Sequence, residues 1–152
     1  NEEVVLSWLE GGGNIDAAHP QAGCTLLMCA SAEGREALVA ELLRRGADAE
    51  HCADAGGYTP LMLASRHGHA SIVRRLLRAG AKLGVRLSDG ATPARLAQEH
   101  GHASCVREIK GHLLAMAAGR REIDEVREAY AALRRRMQLR DTPLEGVLAR
   151  GP

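Results

Sequence analysis

The sequence predicts an all-α solenoid of about three and a half stacked helix-turn-helix units followed by one amphipathic helix, and three observations carry that prediction. Gly34, Gly68 and Gly101 recur at spacings of 34 and 33 residues, and Thr25, Thr59 and Thr92 keep the same two intervals. The apolar pairs Val4-Val5, Leu38-Val39, Ile72-Val73 and Cys105-Val106 hold that register, as do Trp8, Leu42, Leu76 and Ile109. Gly12, Gly46 and Gly80 close the units. Several residue classes recurring in one phase at this period mark a repeat array.

Each unit follows from local chemistry. In "TPLMLASRHG" (59–68), Thr59 is placed to cap a helix, Pro60 sits at the first helical position, where its missing N–H costs nothing, and Gly68 takes the left-handed conformation that stops the helix. A second helix follows in "ASIVRRLLRAG", where Ile72, Val73, Leu76 and Leu77 form one apolar stripe and Gly80 ends the run. The unit is therefore two short antiparallel helices joined by a tight turn, with a loop of about ten residues leading to the next pair. Helices this short are unstable alone in water, and a single pair cannot bury its apolar faces, so neighbouring pairs must stack.

Composition agrees with thin helical layers. Of 152 residues, 45% are hydrophobic, yet there is no Phe, one Trp and two Tyr, so the core is built from Leu, Val, Ile and Ala. Twenty Lys and Arg against nineteen Asp and Glu leave a net charge of +1, which gives no global field toward nucleic acid or an acidic membrane surface. Cys24, Cys29, Cys52 and Cys105 include no Cys-x-x-Cys pair, and a Leu-rich chain of this size needs no disulfide staples, so a reducing, intracellular setting is expected. No apolar run approaches the roughly 18 residues of a membrane span. The chain opens at Asn1, already in mid-pattern, and is read as part of a longer protein.

"GYTPLMLASRHGHASIVRRLLRAGA" (57–81) resembles the ankyrin repeat, whose usual form has a Gly-x-Thr-Pro-Leu-His opening, Leu-Ala-Ala, Gly-His and a Leu-Leu-x-x-Gly-Ala close. "GCTLLMCASAEGREALVAELLRRGADAE" (23–50) is a second copy, "GATPARLAQEHGHASCVREI" (90–109) a third, and "VVLSWLEGGGNID" (4–16) the second helix and exit loop of another. The resemblance covers residues 4–111. The family's His after Thr-Pro-Leu is Met28, Met62 and Arg95 here, and Leu26 stands for Pro, so looser turns are expected.

The repeated His-Gly-His of "RHGHAS" (66–71) and "EHGHAS" (99–104) has two readings, a metal site or punctuation. Equivalent residues on adjacent helix pairs lie about 8–10 Å apart, whereas zinc ligands sit at roughly 2.0–2.3 Å from the ion. His67 and His69 flank a helix-ending glycine and are expected to point apart. Punctuation is the reading adopted, with no metal. Cys105 occupies a stripe position equivalent to Ile72 and is read as core. The Gly-Gly-Gly at 11–13 follows a helix and lacks the Lys-Ser/Thr ending of a phosphate loop, so it reads as a helix stop. No catalytic residue and no cofactor are expected, since stacked helix pairs offer no converging pocket.

The pattern changes after residue 111. Leu113 stands where the repeat calls for Gly, and Ile123, Val126, Tyr130, Leu133 and Met137 recur at three and four residues in a charged background. Residues 1–111 are therefore assigned to the array and 112–140 to a C-terminal capping or linker helix. The run Arg134-Arg135-Arg136 has no interleaved aromatic residues and acidic residues one or more turns upstream, which speaks against nucleic-acid binding. "TPLEGVLARG" (142–151) has Thr, Pro, Leu and Gly at first-helix spacing, so 141–152 is a short helix or tail, or the start of a further repeat.

The resemblance implies a protein-binding function through the concave face of first helices and loop tips. Carried over by position, the face comprises Gln21, Ala22, Cys24, Ala32 and Glu33, then Ala55, Gly56, Tyr58, Arg66 and His67, then Ser88, Asp89, Ala91, Glu99 and His100. Tyr58, Arg66 and His67 are placed at its centre, since Tyr and Arg are enriched at binding hot spots. The reading against this centre has Tyr58 packing across its loop and Arg66 solvated. The expected partner is another protein, bound by a scaffold or adaptor; the alternative is a targeting arm of a larger enzyme such as a ubiquitin ligase or kinase. The chain is read as a monomer, with a dimer through residues 120–138 as the alternative.

Overall fold

The computed structural model of the chain describes residues 2–54 and 56–137. These form seven helices: α1 (Glu2–Glu10), α2 (Leu26–Glu33), α3 (Glu36–Arg44), α4 (Pro60–His67), α5 (Ala70–Arg78), α6 (Pro93–Glu99) and α7 (Ala103–Met137). The expected all-helical array followed by a C-terminal helix is what the described residues adopt. The boundary between its two compact units falls between His112 and Leu113.

In the first unit each helix pair begins at a threonine. Thr25, Thr59 and Thr92 have extended backbones, and their hydroxyls accept from the N–H of Met28, Met62 and Arg95 at 3.4, 3.3 and 3.2 Å. All three caps are therefore in place despite Met and Arg where the family has His, and Met28 and Met62 are fully buried. Gly34 (φ +76°), Gly68 (φ +84°) and Gly101 (φ +76°) make the left-handed turn after each first helix, and the chain reverses into α3, α5 and α7. Between units the loops close as small hairpins: His19 N–H donates to the Cys24 carbonyl, Ala53 N–H to Tyr58 and Leu87 N–H to Ala91, at 2.9, 3.0 and 3.0 Å.

First helices pack on first helices, α2 on α4 and α4 on α6, while α3 packs on α5. One continuous core follows, through Leu27, Val39, Leu42, Leu61, Ile72, Val73, Leu76, Cys105 and Ile109. Burial raises the Cys105 thiol above its ordinary range, as its core position requires. Trp8, in register with Leu42 and Leu76, is half exposed at the N-terminal end of the row. On the outer row, the Arg74 guanidinium of α5 donates twice to the Glu108 carboxylate of α7, at 2.9 and 2.6 Å. Those bonds hold Glu108 below the usual carboxylate range.

The Ser31 and Ser65 hydroxyls, at equivalent positions of α2 and α4, are buried and have no hydrogen-bond partner. An unsatisfied buried hydroxyl costs free energy that a methyl group does not, and Ala is also the better helix former. Ser65→Ala is expected to stabilise the chain by about 0.5–1.5 kcal/mol, read as a raised urea midpoint with an unchanged slope.

α7 replaces the two helices expected on either side of residue 111. Neither Gly111 nor Leu113 takes the left-handed turn that stops every earlier helix pair, so hydrogen bonding runs on. In the second unit Leu113, Leu114, Met116, Ile123, Val126 and Leu133 are exposed. "TPLEGVLARG" and Arg140 lie outside the described residues.

Candidate functional site

The hairpin before α4 brings Tyr58 back over the helix that follows it. Its ring lies half-buried beside Met62 and Leu96, with Val85 and Leu87 of the next loop in the same cluster. The hydroxyl stays accessible and accepts from Arg66 Nη1 at 3.2 Å, eight residues and two helical turns on. The Arg66 guanidinium carbon sits 5.6 Å from the centre of the ring. The packing reading of Tyr58 thus holds for its ring, whereas Arg66 is held against it instead of being simply solvated.

The histidines form an adjoining ladder. His69 Nε2 donates to the Ala32 carbonyl at 3.0 Å, and His102 Nε2 to the Arg66 carbonyl at 2.9 Å. Each ring thereby satisfies a carbonyl near the end of the preceding unit's first helix. Each also lies over that unit's turn glycine: a Cβ on Gly34 or Gly68 would meet it at 2.6 Å. His67 stacks on His69 and His100 on His102, both with ring centres 6.5 Å apart. This corrects the expectation that His67 and His69 point apart. The turn between them is so tight that the flanking rings end on the same side. His100 Nδ1 donates back to the Leu96 carbonyl at 2.9 Å. Burial first, then Arg66 and the three other histidines, holds His67 below the usual imidazole range, so it is neutral at pH 7.

A third tie runs through the loops. His51 Nε2 donates to the Gly23 carbonyl at 2.9 Å, Asp16 accepts from the Asp48 N–H at 2.8 Å, and Glu50 from the Lys82 N–H at 2.8 Å. The neighbour-to-neighbour tie that the family's usual His supplies is thus made from other positions. The residues around Tyr58 serve local roles. Asp89 turns its loop by accepting from the Ala91 N–H at 2.9 Å, and Arg95 bridges Glu99 at 2.7 Å and the Asp89 carbonyl at 3.5 Å. Glu33 pairs with Arg35 at 3.4 Å, Ser88 is exposed, and Gln21 is exposed on the first loop, its N–H donating to His19 Nδ1 at 3.3 Å. Ala91 is buried and leaves the proposed surface; Ala55 lies outside the described residues.

An apolar groove of about 500 Å³, which the sequence does not announce, is lined by Val4 and Trp8 of α1, His19 and Cys24 of the first loop, and Leu26 and Cys29 of α2. Its only sequence signal is that Trp8 stands at a position buried in the later units. Among the described residues no three His, Cys, Asp or Glu side chains are grouped to hold a metal ion, and no helix is long and apolar enough to cross a membrane.

Threonine-capped first helices, left-handed glycine turns and cross-unit ties at intervals near the repeat length define a solenoid of stacked helix pairs. A family model for ankyrin repeats, in three copies, matches residues 1–87, more than half the chain, which belongs to the ankyrin repeat family. No curated protein matches it. Ankyrin repeats are in general protein–protein interaction modules.

Proposed function

We propose that the chain is a scaffold or adaptor that binds a partner protein on the face made by its first helices and loop tips. Tyr58, Arg66 and His67 lie at the centre of that face, with Gln21, Glu33, Ser88, Asp89, Glu99 and His100 around them. In this reading residues 1–111 are the binding array, the remainder extends from it, the setting is intracellular, and no catalysis is involved.

The observation that carries the reading is the Tyr58–Arg66 pair. An exposed guanidinium held by an aromatic face and a phenolic oxygen has already lost much of the rotamer freedom that binding would otherwise remove. It presents a fixed cation beside a flat ring, the combination that anchors many interfaces. With His67 neutral, the cation at this centre is Arg66, which fits a partner offering a carboxylate.

Affinity capture with the intact chain and with Tyr58→Ala/Arg66→Glu tests the reading. Proteins retained by the first are expected to bind the second at least about tenfold more weakly, the loss of one hot spot, while far-UV signal at the binding temperature stays intact and melting falls by no more than the loss of the Tyr58 ring from its cluster explains. Unchanged affinity for every retained protein removes this centre from the surface.

A further inference from the structure

Apolar residues along α7 recur at a period that differs from that of the array. Met116, Ile123, Tyr130 and Met137 are spaced by seven, and Val126 and Leu133 follow Ile123 and Tyr130 by three. These are the a and d positions of a heptad, a spacing that favours winding around a second helix. Along this seam Met116 is 45% exposed, Ile123 50%, Val126 46% and Leu133 50%. Gly119 falls at the d position between Met116 and Ile123, so effective pairing runs from Ile123 to Met137.

We propose that this face is covered by the same face of a second copy of the chain, as a short, parallel two-stranded coiled coil. The flanking charges choose both occupant and orientation. The e positions hold Arg120, Arg127 and Arg134, and the g positions Ala115, Glu122, Ala129 and Arg136. An antiparallel pair sets e against e, which brings arginine against arginine along the seam. A parallel pair sets each g against the e five residues on in the partner: Glu122 meets Arg127 twice by symmetry, and Ala115 and Ala129 meet Arg120 and Arg134 without repulsion. Among the described residues Arg127 makes one ion pair, a long, exposed contact to Asp124 within its own helix at 3.7 Å, weak enough to be exchanged for one across the seam. Ile at an a position and Leu at a d position also favour two strands over three. Two heptads make a weak association, which links two arrays in one assembly and so raises the avidity for a partner with two sites.

Sedimentation equilibrium of the full chain, from micromolar concentrations to hundreds of micromolar, tests this. The expected mass rises from 16.2 kDa toward twice that value. Ile123→Asp/Val126→Asp is expected to stay at the single-chain mass with the array's melting unchanged. Glu122→Lys and Arg127→Glu, at exposed sites that tolerate either charge, are each expected to weaken self-association by about five- to thirtyfold, and an equimolar mixture of the two restores it. Should the Asp variant lose its melting transition, the charge variants carry the test alone. A single-chain mass throughout, a dimer that survives Ile123→Asp/Val126→Asp with the fold intact, or a mixture no tighter than either charge variant overturns the proposal.

Discussion

Leu76→Ala is expected to destabilise the chain by about 2–5 kcal/mol, among the largest losses from a single truncation. Leu76 is fully buried on α5, within the continuous core that runs through the stacked pairs. Removing its three carbons leaves a cavity among short helices whose backbones are pinned by glycine turns and inter-repeat bonds, so little collapse can refill it. Position in the row matters as much as burial. In a linear array each unit is held by its neighbours, so a defect in the middle weakens contacts on both sides. Leu9, on α1, is buried less completely, at 8% exposure against 0% for Leu76. Leu9→Ala should cost less and act mainly by fraying the first turns. Urea unfolding followed by far-UV signal separates the two: a lowered midpoint for Leu76→Ala, and a smaller, shallower early change for Leu9→Ala. Equal effects would mean that the array does not behave as a row of coupled units.

Gly68→Ala is expected to cost about 2–3 kcal/mol, a large loss for one methyl group. At φ +84° an L-residue is strained by about 1–2 kcal/mol. The added Cβ would also lie 2.6 Å from the His102 ring, which must swing away and surrender its hydrogen bond to the Arg66 carbonyl. The two parts separate in a cycle. In a His102→Ala background the ring is gone, and Gly68→Ala should cost only the backbone strain, so the double variant is more stable than the sum of the single effects predicts. Strict additivity, measured by denaturant unfolding of the four proteins, would show that the ring is not what opposes a side chain there.

Features made by neighbours in sequence were legible; features made by neighbours in space were not. Thr59, Pro60 and Gly68 announce a helix because each acts within a few residues of itself, and the structure puts each to that use. The phase of Leu42, Leu76 and Ile109 likewise predicts their burial. His69 and His102 carry no such signature. Their partners, Ala32 and Arg66, lie 37 and 36 residues away, and only the stacking of units brings ring and carbonyl together. Distance arguments between equivalent histidines bear on a shared metal but not on the tight turn that stacks His67 on His69. Of the proposed surface, Tyr58 and Arg66 could be named from the loop and helix they occupy, but the bond between them needed the hairpin's fold. Ala91 is buried although it belongs to the loop, because a loop position says little about whether a small side chain faces out or in.

The ties between units also bear on how such a chain can lengthen or shorten over evolutionary time. Each of them joins neighbouring units, and the histidine tie recurs one period on, from His69 and Ala32 to His102 and Arg66. Excising residues 35–68 would set His102 against the Ala32 carbonyl as it now meets that of Arg66, with Gly34 beneath its ring in place of Gly68. Duplicating the same segment would repeat the loop ties made by Glu50 and His51, which lie inside it, while His69 would meet the Arg66 carbonyl of the first copy. A gain or loss of a whole period therefore keeps the later ties in register, whereas an insertion of a few residues within a helix pair would throw all later ties out of step. Selection on such a gene can add or remove binding surface in units of one repeat without redesigning what holds the repeats together.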